Sequence, residues 1–204
     1  MLINMRIRGR TPTPTNRSTG SRPKDLKKML LARDGRFSVV GGIMDNTGPM
    51  PTAPPANGMA TLQVVHIIPF SASRRIPLRL MLSKFVGQDM ENLLTGGGIN
   101  DPSNALLLNP DAHQASDSFA FGLECQNDRY FLRMLVPRWS LPPTFSRHFE
   151  GEELFFGQGP EHVALPSALL CNIQLAVGRV LRASGAAETI DKIEEDLSLR
   201  KPGS

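Results

Sequence analysis

Residues 62–70 read LQVVHIIPF, and no other stretch restricts the fold of this chain so strongly. Val64, Val65, Ile67 and Ile68 are β-branched, which suits a pleated, buried surface. Pro69 ends the run, because proline has no N–H to give to a sheet ladder. The segment therefore predicts a strand. A second apolar strand is expected at Leu106–Leu108, followed by a helix from Pro110 to about Ser118, since proline is well placed in a first helical turn. Phe119–Glu124 and Arg129–Val136 then predict a hairpin, with Asn127-Asp128 at its turn.

The flanks are less regular. Residues 1–22 are rich in Thr, Pro and Arg without apolar periodicity, which predicts a disordered arm. An amphipathic helix is expected from Lys24, with Leu26, Met29 and Leu30 in its pattern, stopping at Asp34-Gly35. Phe37–Val40 predicts a strand closed by Gly41-Gly42. The four prolines between Asn46 and Gly58 demand a loop. Residues 76–94 read as partly helical, broken by Gly96-Gly97-Gly98. Residues 137–160, rich in Pro, Gly and Phe, read as mostly irregular. Pro166–Ser184 predicts an amphipathic helix with Gly185 as its stop, and an acidic helix is expected within 188–199. These elements divide the chain into a basic arm (1–22), a central α+β domain (24–136) and a C-terminal extension (137–204).

Charge is unevenly placed. Ten basic residues and two acids lie between Met1 and Arg36, a local excess of +8 in a chain whose net charge is +4. Such an arm favours polyanions through counterion release, without reading sequence, although a solvated tail would look the same. No stretch reaches the length of a membrane span, and the N-terminus lacks the apolar core of a secretory signal. The expectation is an intracellular protein of nucleus or cytoplasm. Cys125 and Cys171 form no C-x-x-C pair, which argues against a zinc knuckle; in that compartment they are expected to be reduced.

His66, Asn104 and His113 carry the chemical argument. Singly, each has an ordinary structural reading: a hydrogen-bonded core histidine, a turn or cap asparagine, a surface histidine. Their arrangement says more. His66 lies in the strand, Asn104 precedes ALLL, and His113 lies on the helix that follows. Asp117 stands four residues beyond His113, on the same helical face. An imidazole and a carboxylate so placed can converge on one cation, and mixed nitrogen and oxygen ligation suits magnesium, manganese or zinc. Arg74, Arg75 and Arg79 follow the strand directly and could contact phosphates or simply solvate a loop. His148 and His162 belong to no constellation, so surface roles are expected for both.

VVHIIPF followed by INDPSNALLLNPDAHQASDSFAF resembles the HNH nuclease motif as found in a group of fungal HNH-domain proteins. LLARDGRFSVVGGIMD is similar to that group's opening, and LRASGAAE to its tail. The resemblance implies a ββα-metal fold, two strands and a helix clasping one divalent ion (magnesium or manganese before zinc), with flanking helices. It implies an endonuclease hydrolysing phosphodiester bonds in DNA, or in RNA. His66 would be the general base; a neutral imidazole at physiological pH can take a proton from the attacking water. Asn104 would orient that imidazole or tie the loop, and His113 and Asp117 would hold the ion against the scissile phosphate and the leaving 3′ oxygen. The products would carry 5′-phosphate and 3′-hydroxyl ends.

This sequence departs from the pattern in places. Many HNH enzymes carry a ligating Asp or His just before the base, where Val65 stands. Ser38 and Gly41 occupy the opening motif where cysteine and threonine are usual. Two function classes therefore follow: an active nuclease, or a catalytically decayed HNH scaffold that binds nucleic acid or protein. Metal-dependent cleavage that requires His66 separates them.

Overall fold

The computed structural model describes residues 24–69, 83–84, 87, 98–186 and 189. The N-terminal arm, the helix expected near residues 76–94 (apart from Ser83, Lys84 and Gly87), Arg74, Arg75, Arg79 and the acidic segment 188–199 (apart from Thr189) lie outside the described residues. Helix α1 spans Lys24–Arg33, and the short strands β1 (Met44–Asp45) and β2 (Met59–Ala60) pair in parallel. Strand β3 (Gln63–His66) runs antiparallel to β4 (Ala105–Leu108), with Gln63 opposite Leu108 and His66 opposite Ala105. Helix α2 (Pro110–Asp117) follows at once, then β5 (Phe121–Gln126), β6 (Arg129–Met134) and β7 (Glu153–Leu154) in one antiparallel sheet, and finally α3 (Ala168–Ala183).

The β3–β4 ribbon has no bare face. Strand residues alternate sides, and both sides here are apolar. Val64, Ala105 and Leu107 join Leu26, Leu30 and Leu62 beneath α1. Val65, Leu106 and Leu108 join Ala112 and Ala115 of α2 in the larger core. Each fully buried leucine of this kind contributes about 1.5–3 kcal/mol of transfer free energy. Residues 137–186 enter the same larger core through Phe145, Leu154, Phe156, Leu170, Cys171 and Ile173.

Several local expectations change. The strand expected at residues 37–40 shrinks to a single antiparallel bridge, Phe37 to Met44, around a turn at residues 39–42, because Gly41 and Gly42 both take positive φ and send the chain back so that Ser38 N–H donates to Ile43 C=O at 2.8 Å. Part of the segment expected to be irregular is recruited as β7, which pairs with β6 through Tyr130↔Leu154 and Phe131↔Glu153. The hairpin turn falls where expected: Asn127 and Asp128 have φ of 51° and 59°, the two positive angles of a type I′ turn. Ser167 caps α3 by accepting from Leu170 N–H. The outer edge of β5 is closed by α3, where Asn172 accepts from Cys125 N–H (2.8 Å) and donates to Cys125 C=O (3.1 Å). Cys125 and Cys171 are both free and buried, and burial pushes the Cys171 thiol up to about 12. No helix among the described residues is long and apolar enough to cross a membrane.

Asp45 locks β1 to the start of β3. Its carboxylate accepts from the Thr47 hydroxyl and N–H and from Leu62 N–H, and pairs with Lys27 at 3.1 Å. Burial alone would raise this carboxyl, but those hydrogen bonds outweigh it and hold it below its ordinary value. The sign follows directly. The contribution is complete above the unfolded value of about 4 and is lost as pH falls through the lower folded value. Asp45→Asn is therefore expected to be less stable than wild type at pH 7, with the gap closing below about pH 4; urea midpoints across that range measure it.

Candidate nuclease site

Two groups of polar side chains gather around the β3–β4 ribbon. The first sits where the ladder ends. Asn104 is fully buried; its Oδ1 accepts from Ile68 N–H at 2.9 Å, and its Nδ2 donates to Ile68 C=O (3.2 Å) and Ile99 C=O (3.0 Å). One amide thus substitutes for a strand partner at Ile68, so β3 stops at His66 instead of continuing to Phe70. The 3-10 turn Pro102–Asn104, capped by Asp101, brings the amide there. His66 Nε2 lies 3.2 Å from Asn100 Oδ1, on the neighbouring turn Gly98–Asn100. Removing Asn104 strips three groups of their partners in a dry site, at about 1–3 kcal/mol for each group left unsatisfied. Asn104→Ala is expected to lose about 3 kcal/mol of stability in urea unfolding.

The second group sits on α2. His113 Nε2 lies 3.1 Å from Asp117 Oδ2, the i, i+4 pair expected from the sequence. The other ring nitrogen, Nδ1, contacts Gln63 Oε1 at the start of β3. The imidazole is half-buried, while Asp117 is largely exposed. Two donors bound about 2.1 Å from a common ion at a right angle stand about 3 Å apart, so this nitrogen–oxygen pair is spaced as neighbouring ligands are. Among the described residues no cluster of three or more His, Cys, Asp or Glu side chains is present that could hold a metal. The donors on offer here are one imidazole nitrogen and one carboxylate, with Val65 buried in the apolar core where a further ligand is common.

The ribbon separates the two groups. Gln63 and Val65 share the face that α2 covers; Val64 and His66 share the face toward α1. His66 also lies three residues, about 10 Å, along the strand from Gln63. The fold thus joins His113 to Asp117, and His66 to the loop that Asn104 clasps, at different corners of one small unit. Gln63 and Asn100 were not singled out in the sequence. Alternation around Val65 points to Gln63; only the folded turn reveals Asn100.

Other charged residues have structural work. His148 is no surface residue: its Nε2 accepts from Gly41 N–H (2.8 Å) and its Nδ1 faces Glu152 (2.9 Å), bracing the 37–43 turn. Together with Phe37, Asn57, Arg147 and Phe155 it lines an open cleft of about 740 Å³, which contains none of the four motif residues. Three members of the basic N-terminal stretch are also engaged internally. Lys27 pairs with Asp45, Arg36 donates to Pro49 and Asp45 carbonyls, and Arg33 is wholly buried.

A strand–strand–helix unit with histidines on its first strand and its helix, and a buried asparagine between them, defines a ββα nuclease-type core. Residues 39–124 match the HNH endonuclease family model, within an α+β fold that ends in a C-terminal helix. The match takes in His66, Asn104, His113 and Asp117. Neither the curated proteins nor the solved structures gave a match.

Proposed function

We propose that this protein is a metal-dependent endonuclease that hydrolyses phosphodiester bonds in DNA, with RNA as the less favoured substrate. The observation that carries this reading is the Asn104 clasp, which fixes the tip of the ribbon immediately after His66 inside the region that matches the HNH model. His66 is the general base of this reading, an imidazole that can accept a proton from water, and its Nε2 lies 3.2 Å from Asn100 Oδ1. Asn104 acts as a positioning residue. His113 and Asp117 are the side chains that would hold a divalent ion, magnesium or manganese before zinc. Such an ion would supply charge neutralisation at the scissile phosphate. Arg74, Arg75 and Arg79, close after the strand in sequence, are suited to phosphate contacts.

Purified protein with supercoiled plasmid and Mg²⁺ or Mn²⁺ tests the reading, with a chelator control and His66→Ala alongside. Nicking that needs both metal and His66 supports it. Equal nicking by the two proteins would refute it.

A second reading has its own support. Val65 is apolar where a ligand is common, and His66 faces away from the His113–Asp117 pair. Both favour a decayed scaffold that binds nucleic acid or protein. It predicts salt-sensitive DNA binding that survives His66→Ala, with no metal-dependent cleavage.

A further inference from the structure

We infer that Gln63 is a positioning residue of the cation site, the acceptor that turns His113 so that Nε2 faces the ion beside Asp117. The inference rests on the proposed metal site and adds to it a residue from the strand. His113 Nδ1 meets Gln63 Oε1, and Nε2 meets Asp117 Oδ2 at 3.1 Å, so the ring is held at both nitrogens along one line. An amide oxygen can only accept, so the nitrogen facing it must carry a proton. Nδ1 is therefore a donor; Nε2, which faces the Asp117 carboxylate at 3.1 Å, is the nitrogen that would give up its proton when an ion binds beside Asp117. Metal-bound histidines commonly donate their second N–H to an oxygen acceptor, which fixes ring orientation and raises ligand basicity.

Position in the ribbon makes the assignment specific to this chain. Gln63 and Val65 occupy the same face two residues apart, and Val65 offers α2 only carbon. A polar side chain from β3 therefore reaches α2 one step earlier along the strand. Gln63 pairs with Leu108, just before α2 begins, which brings its amide level with the first turn and His113. The strand then supports the ion through the histidine instead of through a ligand of its own.

The test uses the full chain with Mn²⁺ for calorimetry and Zn²⁺, which is diamagnetic, for NMR of ¹⁵N-labelled histidine. Gln63→Leu removes the acceptor; Gln63→Glu restores one. Manganese affinity is expected to fall about 10- to 100-fold in Gln63→Leu and to recover in Gln63→Glu. In the zinc-loaded wild type, the His113 Nδ1 proton is expected to be protected from exchange, and that protection should vanish in Gln63→Leu. Unchanged affinity in Gln63→Leu, or zinc carried on Nδ1, would overturn the inference. A wild-type chain that takes neither metal would overturn it together with the cation site. Failure of the nuclease reading looks different: manganese is bound in a Gln63-dependent way, yet plasmid stays intact.

Discussion

Arg33→Met is expected to lower the stability of the chain by about 3–5 kcal/mol, the usual cost of breaking a buried ion pair from one side. Arg33 is completely buried at the end of α1. Its guanidinium holds both Asp34 carboxylate oxygens, at 3.0 and 2.9 Å, and donates to the carbonyls of Pro102 (2.9 Å), Ala105 (3.1 Å) and Ala164 (3.2 Å). It also lies over the Phe156 ring. Methionine fills the space but leaves Asp34, only 6% exposed, without its partner, and strands three carbonyls. Pro102 opens the turn that carries Asn104 and Ala105 follows it, so the loss should spread to the ribbon tip. Urea unfolding measures the total. Hydrogen exchange at Ile68 N–H, which Asn104 holds, should report the local opening. If Arg33→Met unfolds at the wild-type midpoint, the guanidinium is not the tie described here.

His66→Ala is expected to slow metal-dependent nicking by about 10²- to 10⁴-fold, the usual contribution of a general base. Manganese affinity should stay near the wild-type value, because His113 and Asp117 lie on the other face of the ribbon. That split between lost turnover and retained metal binding separates a base from a ligand. A fall in metal affinity equal to the fall in rate would instead make His66 a member of the cation site.

The ribbon and α2 were legible in the sequence because their signals are local: a β-branched run, a leucine run, a proline in a first turn. The length of β3 was not legible. The apolar pattern continues through Ile67 and Ile68, but the amide of Asn104 takes both backbone groups of Ile68 and ends the ladder. That partner lies 36 residues away, beyond the reach of any periodicity. Gly41-Gly42 looks in sequence like a strand stop, whereas its two positive φ angles make it the pivot of a tight turn. Strand β7 is two residues long and exists because β6 offers it an edge. Arg33 shows the weakness of counting charge along a chain. It added to a basic arm in the sequence, yet in the fold it is an interior fastening. The His113–Asp117 pairing was legible because helical spacing is rigid; the side of the ribbon taken by His66 emerges only from the register with β4.

The Asn104 amide grips the chain on both sides of the excursion between Ile68 and Ile99, like a drawstring at the neck of a bag. With the two ends fastened, a change in the number of residues between them is expected to cost the framework little, since each doubling of a loop's length adds only about 0.6 kcal/mol of closure entropy. Insertions and deletions between Ile68 and Ile99 are thus expected to be tolerated while the two ends stay in register.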